Sequence, residues 1–207
     1  MHKATPNTYA NLFANSVFAM SLVIILSNIG ANKITAIFGL SIDCSFMFFP
    51  LTYLIVDIVN EKLGVLAAKR VVFYGFLASF IVTAGIFIIK VMPEYYGWHN
   101  QEALDKYFQL SSRVAVASLS SYLIGLYLNA NVFAYLKAKS ESYGLLVRFF
   151  LSTVVSAFVE NTIFYFLAFW GLIAFKQLMI MILMQYAVKV VYNLLCSYIA
   201  VKLFLKS

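Results

Sequence analysis

The sequence predicts an all-α integral membrane protein of six spanning helices. Three observations carry this. Of the 207 residues, 63% are hydrophobic and only 11% charged, against about 25% charged in an ordinary soluble domain. Six apolar stretches account for most of the length, and the polar residues gather between them, as expected when lipid is the outer solvent. One compact membrane domain, residues 1–207, is the natural division.

Helix one runs roughly from Leu12 to Ile29 and ends in the polar run Ser27-Asn28-Ile29-Gly30-Ala31-Asn32-Lys33. Its apolar stretch lacks a small-residue cleavage pattern and is followed by further spans, so it is expected to stay as an anchor. The second run, about Phe46 to Val59, is short for a span of about 20 residues and starts near Pro50, which predicts a broken or tilted segment. Helix three covers about Val71 to Val91, helix four Val114 to Tyr135, helix five Leu145 to Trp170 and helix six Leu178 to Leu203. A polar loop from Met92 to Arg113 separates helices three and four; Glu94, Glu102, Asp105 and His99 sit there beside Tyr95, Tyr96 and Trp98, aromatics suited to a membrane interface.

The net charge of +7 belongs to residues at helix ends, where it orients the chain rather than forming a nucleic-acid stripe. With both termini inside, the inner set is Lys3, Lys62, Lys69, Arg70, Lys137, Lys139, Arg148, Lys202 and Lys206, against Lys33, Lys90, Lys106, Arg113 and Lys176 outside. Inside wins by nine to five, so both termini are expected in the cytoplasm. Cys44 and Cys196 fall near opposite membrane faces on this topology, too far apart for a disulfide. Three spans return the chain on the opposite side, so a three-plus-three arrangement would invert its second half. Phe49-Pro50-Leu51-Thr52 leading to Asp57 and Phe150-Leu151-Ser152-Thr153 leading to Glu160 suggest such a repeat, with offsets that differ by two residues.

A charge inside a spanning helix costs about 2.5–3.5 kcal/mol on insertion scales, so each needs a partner or a purpose. Asp57, Glu61, Glu160 and Lys189 are the four that stand out. Asp57 and Glu61 are four apart and share a face of helix two. Glu160 lies mid-way along helix five and Lys189 deep in helix six, where Gln185, Lys189 and Asn193 recur every four residues as one polar stripe beside Tyr192. A water-accessible cavity at the bundle centre would explain them; a simple Glu160–Lys189 neutralisation that locks two helices is the other reading, and the two are compatible. Tyr53, Tyr122, Tyr165 and Tyr192 are the aromatic candidates for stacking on a flat ligand, although packing is the commoner use of such rings.

Asn32-Lys33 followed by Phe49-Pro50-Leu51-Thr52, Asp57 and Glu61-Lys62-Leu63-Gly64 resembles the signature of the YhhQ-type, or VUT, family of queuosine precursor transporters, approximately Phe/Tyr-Pro-Leu-Thr, an Asp, then Glu-x-x-Gly. The likeness extends through Arg113, Ala117-Ser118-Leu119, Phe133, Leu136-Lys137, Ser152-Thr153, Ile163-Phe164, Ala168-Phe169-Trp170-Gly171, Tyr186 and Lys189. It departs where the family carries Ser-Gln-x-x-Asp: here stand Gly125, Leu126 and Asn129, then Ser156, Ala157 and Glu160. A proline expected late in helix six is also replaced, around Ser197.

The resemblance implies a six-helix importer of a 7-deazaguanine precursor or of queuine for tRNA modification, in a bacterial cytoplasmic (inner) membrane, with a fold similar to the substrate-binding subunits of ECF-type vitamin importers. A deazaguanine offers a ring N–H and an exocyclic amine side by side, two donors that suit one carboxylate. Glu160 is the expected acceptor, Lys189 or Asn129 the donor to the ring carbonyl, with Asp57 and Glu61 as gate or amine contact. Gln185, Asn193 and Lys33 complete the substrate-binding candidates. No cofactor, metal or catalytic group is expected: the two histidines, His2 and His99, lie in the terminus and the loop, and no Gly-rich phosphate loop appears. Three rivals stay open: an ECF-type binding subunit dependent on a partner complex, a membrane enzyme acting on lipid, and an assembly protein without ligand. A homo-oligomer is compatible with any of them.

Overall fold

The computed structural model describes residues 6–93, 95–96, 100–139, 144–200 and 202. His2, Lys3, Glu94, Trp98, His99, Leu203 and Lys206 lie outside the described residues. Among the described residues, six helices are long and apolar enough to cross a membrane, and the protein is an all-α multi-pass membrane protein. Its polarity is inverted relative to a soluble globule. Phe73, Phe80, Ile81, Phe87, Ile88 and Ile89 of the third helix are exposed, while Asp43, Asp57, Asn129, Glu160, Asn161, Gln185, Lys189 and Asn193 are buried. Lipid on the outside and a polar interior account for both.

Helix α1 is Pro6–Gly30, α2 Pro50–Leu63, α3 Val65–Val91, α4 Gln101–Lys139, α5 Leu145–Phe169 and α6 Phe175–Ala200. Between α1 and α2 the chain forms a short antiparallel hairpin, β1 (Ile34–Ile37) and β2 (Leu40–Asp43), then a 3-10 turn, Cys44–Met47. Phe38 and Gly39 both have positive φ at the hairpin tip, the geometry a two-residue loop needs to match strand twist. The broken second span expected from Pro50 is realised here: the 3-10 turn enters the membrane region and α2 starts afresh with Pro50 in its first turn, where the missing N–H costs nothing. Gly64, at φ 85°, turns α2 directly into α3.

Several boundaries differ from expectation: helix one begins at Pro6, six residues before Leu12, and helix two runs four residues past Val59, to Leu63. Helix three begins six residues earlier than Val71, at Val65. The loop expected over Met92 to Arg113 is in its second half the first turns of α4, where Lys106 pairs with Glu102 at 2.7 Å and Gln101 donates to Asp105 at 3.2 Å. Each pair is one helical turn apart, which supports an exposed helix by a few tenths of a kcal/mol. Arg113 then caps the end of α5, its Nε donating to the Leu167 carbonyl at 2.9 Å and its other guanidinium nitrogen to Trp170 at 2.5 Å. Both cysteines are free thiols.

Candidate functional site

The deepest polar cluster is organised by Lys189. From α6 its ammonium donates to the Glu160 carboxylate and, at 2.5 Å, to Asn161 Oδ1, both on α5. It also lies 4.1 Å above the ring of Phe49, at the start of α2. Glu160 and Lys189 are each 2% exposed, so bulk water reaches neither charge. A buried lysine with a carboxylate, an amide oxygen and an aromatic face has its positive charge answered on three sides.

Around the pair is a small cleft where six segments converge. Ser27 and Asn28 come from α1 and Ala31 from the turn that follows it, Ser45 from the 3-10 turn, Phe49 from the turn into α2, Ser118 from α4, Glu160 and Phe164 from α5, and Gln185 and Lys189 from α6. Gln185 donates to Ser45 at 3.0 Å. Its Oε1, the Nδ2 of Asn161 and the hydroxyl of Tyr53 are buried without a hydrogen-bond partner. Buried polar atoms left this way cost about 1–3 kcal/mol each unless water or a ligand satisfies them.

The cleft is closed. Its volume of about 10 Å³ holds roughly one water molecule, against about 300–1,000 Å³ for a typical small-molecule pocket. The ligand-sized hollow expected from the buried charges is therefore absent in this conformation, because Lys189 fills the space in front of Glu160.

One helical turn below Glu160, a second polar layer joins three helices. Asn129 of α4 donates to Asp57 of α2 at 2.6 Å, and Ser156 of α5 donates to Asn129 Oδ1 at 3.0 Å. Asn129 and Asp57 bond each other and neither lines the cleft, while the second carboxylate oxygen of Asp57 is buried without a hydrogen-bond partner. At the end of the bundle, Glu61 accepts from Lys137 at 3.1 Å and Arg148 at 3.2 Å, tying α2 to α4 and α5. Glu61 lies about three turns along α2 from Phe49 and does not line the cleft, and neither does Lys33, which is exposed beside the hairpin.

The tyrosines are placed differently from one another. Tyr53 is fully buried, and its hydroxyl packs with Glu160 against Gly125: a Cβ built there would stand 3.4 Å from the hydroxyl and 2.5 Å from Glu160 Cβ. Tyr165 donates to Asp43 and stacks on Phe169. Tyr122 points the other way, donating to the Val72 carbonyl of α3 at 3.0 Å. Tyr192 is half-buried outside the cleft. The aromatic faces in the cleft belong to Phe49 and Phe164 instead. Gln185, Lys189 and Asn193 do form one buried stripe, but Asn193 is bonded to Ser197 below the cleft.

Asn28, Ser118, Asn161 and Asp43 were not singled out by sequence. Asp43 escapes notice because it precedes the apolar run; it caps the 3-10 turn by accepting from the Ser45 amide at 2.9 Å. Asn28, at the polar end of helix one, reads as interfacial until the fold brings Ser118 (2.5 Å) and Ser79 (2.8 Å) onto its side chain.

Residues 43–203 match the family described as "Putative vitamin uptake transporter". The chain belongs to this family. The family's match takes in the cleft residues from Ser45 to Lys189 and leaves Ser27, Asn28 and Ala31 before it. Among curated proteins, the chain is 26% identical over 162 residues to the "Queuosine precursor transporter" of Escherichia coli (strain K12), covering 78% of this chain and 70% of that protein. It is 26% identical over 149 residues to the "Probable queuosine precursor transporter" of Bacillus subtilis (strain 168), covering 72% and 65%. No solved structure gives a significant match.

Proposed function

We propose that this chain transports a queuosine precursor, a 7-deazaguanine base, across a bacterial cytoplasmic membrane, with the cleft at Glu160 and Lys189 as its binding site and both termini cytoplasmic. The names of its two relatives supply the cargo class. The observation that carries the reading is the buried Glu160–Lys189 pair among unpartnered polar atoms of Gln185, Asn161 and Tyr53. Such atoms suit a cargo with several donors and acceptors on one edge.

In this reading Lys189 holds the Glu160 carboxylate while the site is empty. The arriving base offers its ring N–H and amine to the two carboxylate oxygens, a bidentate match. Lys189 is released toward the ring carbonyl while keeping Asn161 and Phe49 as partners. Exchanging one neutralising partner for another avoids exposing a bare charge to a low-dielectric interior.

The closed cleft on its own also suits an assembly protein whose polar residues merely pair; family membership and the unpartnered atoms favour transport. The experiment is uptake of labelled queuosine precursor into liposomes containing the purified chain alone. Uptake by wild type, lost in Glu160→Gln with normal membrane insertion, supports the reading. Glu160→Gln uptake equal to wild type removes Glu160 from the site, and no wild-type uptake without a partner complex favours an ECF-type binding subunit.

A further inference from the structure

On the hairpin face, between α1, α3 and α4, lies a groove of about 310 Å³, thirty times roomier than the closed cleft and close to the lower end of small-molecule sites at about 300 Å³. It has an apolar wall, including Val82 and Ile86, and a polar side built from Asn28, Asn32, Ser79 and Thr83. Asn28 lines both the groove and the cleft. Its amide nitrogen donates to Ser79 of α3 at 2.8 Å, and its oxygen accepts from Ser118 of α4 at 2.5 Å. One side chain thereby ties α1 to both neighbours at the point where the two spaces meet.

We infer that this groove is the vestibule through which the cargo reaches Glu160 and Lys189, and that Asn28 is the gate between them. The inference rests on the function proposed above and adds the route. A flat heterocycle has apolar faces and a polar edge, which the groove's wall and polar side match. Opening breaks the two side-chain hydrogen bonds that hold α1 to α3 and α4 at this point. The closed gate also explains how a wide groove and a one-water cleft coexist side by side.

The test needs no cargo. Ser27 lines the cleft, and its hydroxyl bonds only within its own helix, to Val23 at 2.7 Å, so Ser27→Cys places a reporter thiol behind the gate. In a Cys44→Ser/Cys196→Ser background, the reporter's reaction with N-ethylmaleimide, a small flat neutral imide, is timed in detergent micelles. Adding Asn28→Ala should speed labelling about thirtyfold, because losing two hydrogen bonds of about 1 kcal/mol each favours the open form by that factor. Adding Thr83→Trp to fill the groove should return labelling to the slow rate. If Asn28→Ala does not fold, Ser79→Ala removes one of the two links and should give about a fivefold rise.

Labelling unchanged in the gate variants, or fast despite Thr83→Trp, overturns the route, and the latter result would leave the groove to lipid. A slow, unresponsive reporter in a protein that still takes up the base refutes the gate and spares the proposed function. Gated labelling in a protein that takes up no base does the reverse.

Discussion

Lys189→Met tests whether the deep pair is one energetic unit. The substitution keeps an unbranched chain of similar length but removes the charge that answers Glu160, the bond to Asn161 and the contact over Phe49. Removing one partner of a buried pair costs about 3–5 kcal/mol, because the remaining charge is left uncompensated. Glu160→Gln leaves the ammonium with Asn161 and Phe49 in place, so its cost should sit at the lower end of the same range, about 3 kcal/mol. The double variant buries neither charge. Its loss should fall short of the sum of the single losses by about 2–3 kcal/mol, the coupling expected for residues in direct contact. Reversible unfolding in mixed micelles, driven by a denaturing detergent, reads all three. Additive losses would show that the two charges are answered independently, by water or lipid headgroups, and would refute the picture of a dry pair that must be exchanged for cargo.

Gly125→Ala should impair uptake from a distance, since the new Cβ would stand 2.5 Å from Glu160 Cβ and 2.8 Å from its Cγ; overpacking of this kind costs about 1–3 kcal/mol and displaces the carboxylate, so unaltered uptake would mean Glu160's position is not critical. Glu61→Gln should leave uptake within a few-fold of wild type, because its partners Lys137 and Arg148 do not line the cleft and partly solvated pairs are worth about 1 kcal/mol or less; uptake abolished with intact folding would return Glu61 to the cargo path. Tyr122→Phe removes a buried bond to the Val72 carbonyl and should lower stability by about 1 kcal/mol with no change in cargo affinity, measurable by unfolding and binding side by side.

Much of this molecule is legible in its sequence, for a physical reason. Lipid demands long apolar stretches, so the six spans stand out, and the same demand makes Glu160 and Lys189 conspicuous as charges that must find each other. The hairpin is not legible, because β1 and β2 are four residues each and their apolar residues merge with the flanking spans. The start of α4 is polar and exposed, so Glu102 and Lys106 read as loop although their spacing of four is helical. Within the site the limit is direction: a tyrosine in a span can face the cleft, a neighbouring helix or lipid with equal plausibility. Tyr122 turned to α3, Tyr165 to Asp43, and the cleft's aromatic faces came from Phe49 and Phe164. Asn28 stands at the polar end of its span and Asn161 beside the charged Glu160, so neither stands out from its neighbours in the sequence.

The central claim is that the polar centre of the bundle opens to accept a flat nitrogen heterocycle in place of Lys189. The most direct measurement is the melting temperature of the purified protein with and without queuosine precursor, for wild type and Glu160→Gln. Cargo at 100 times its dissociation constant should stabilise wild type by about 2.7 kcal/mol, a clear upward shift, and leave Glu160→Gln unmoved. A shift of equal size in both proteins would contradict the account, because the cargo would then bind without the carboxylate.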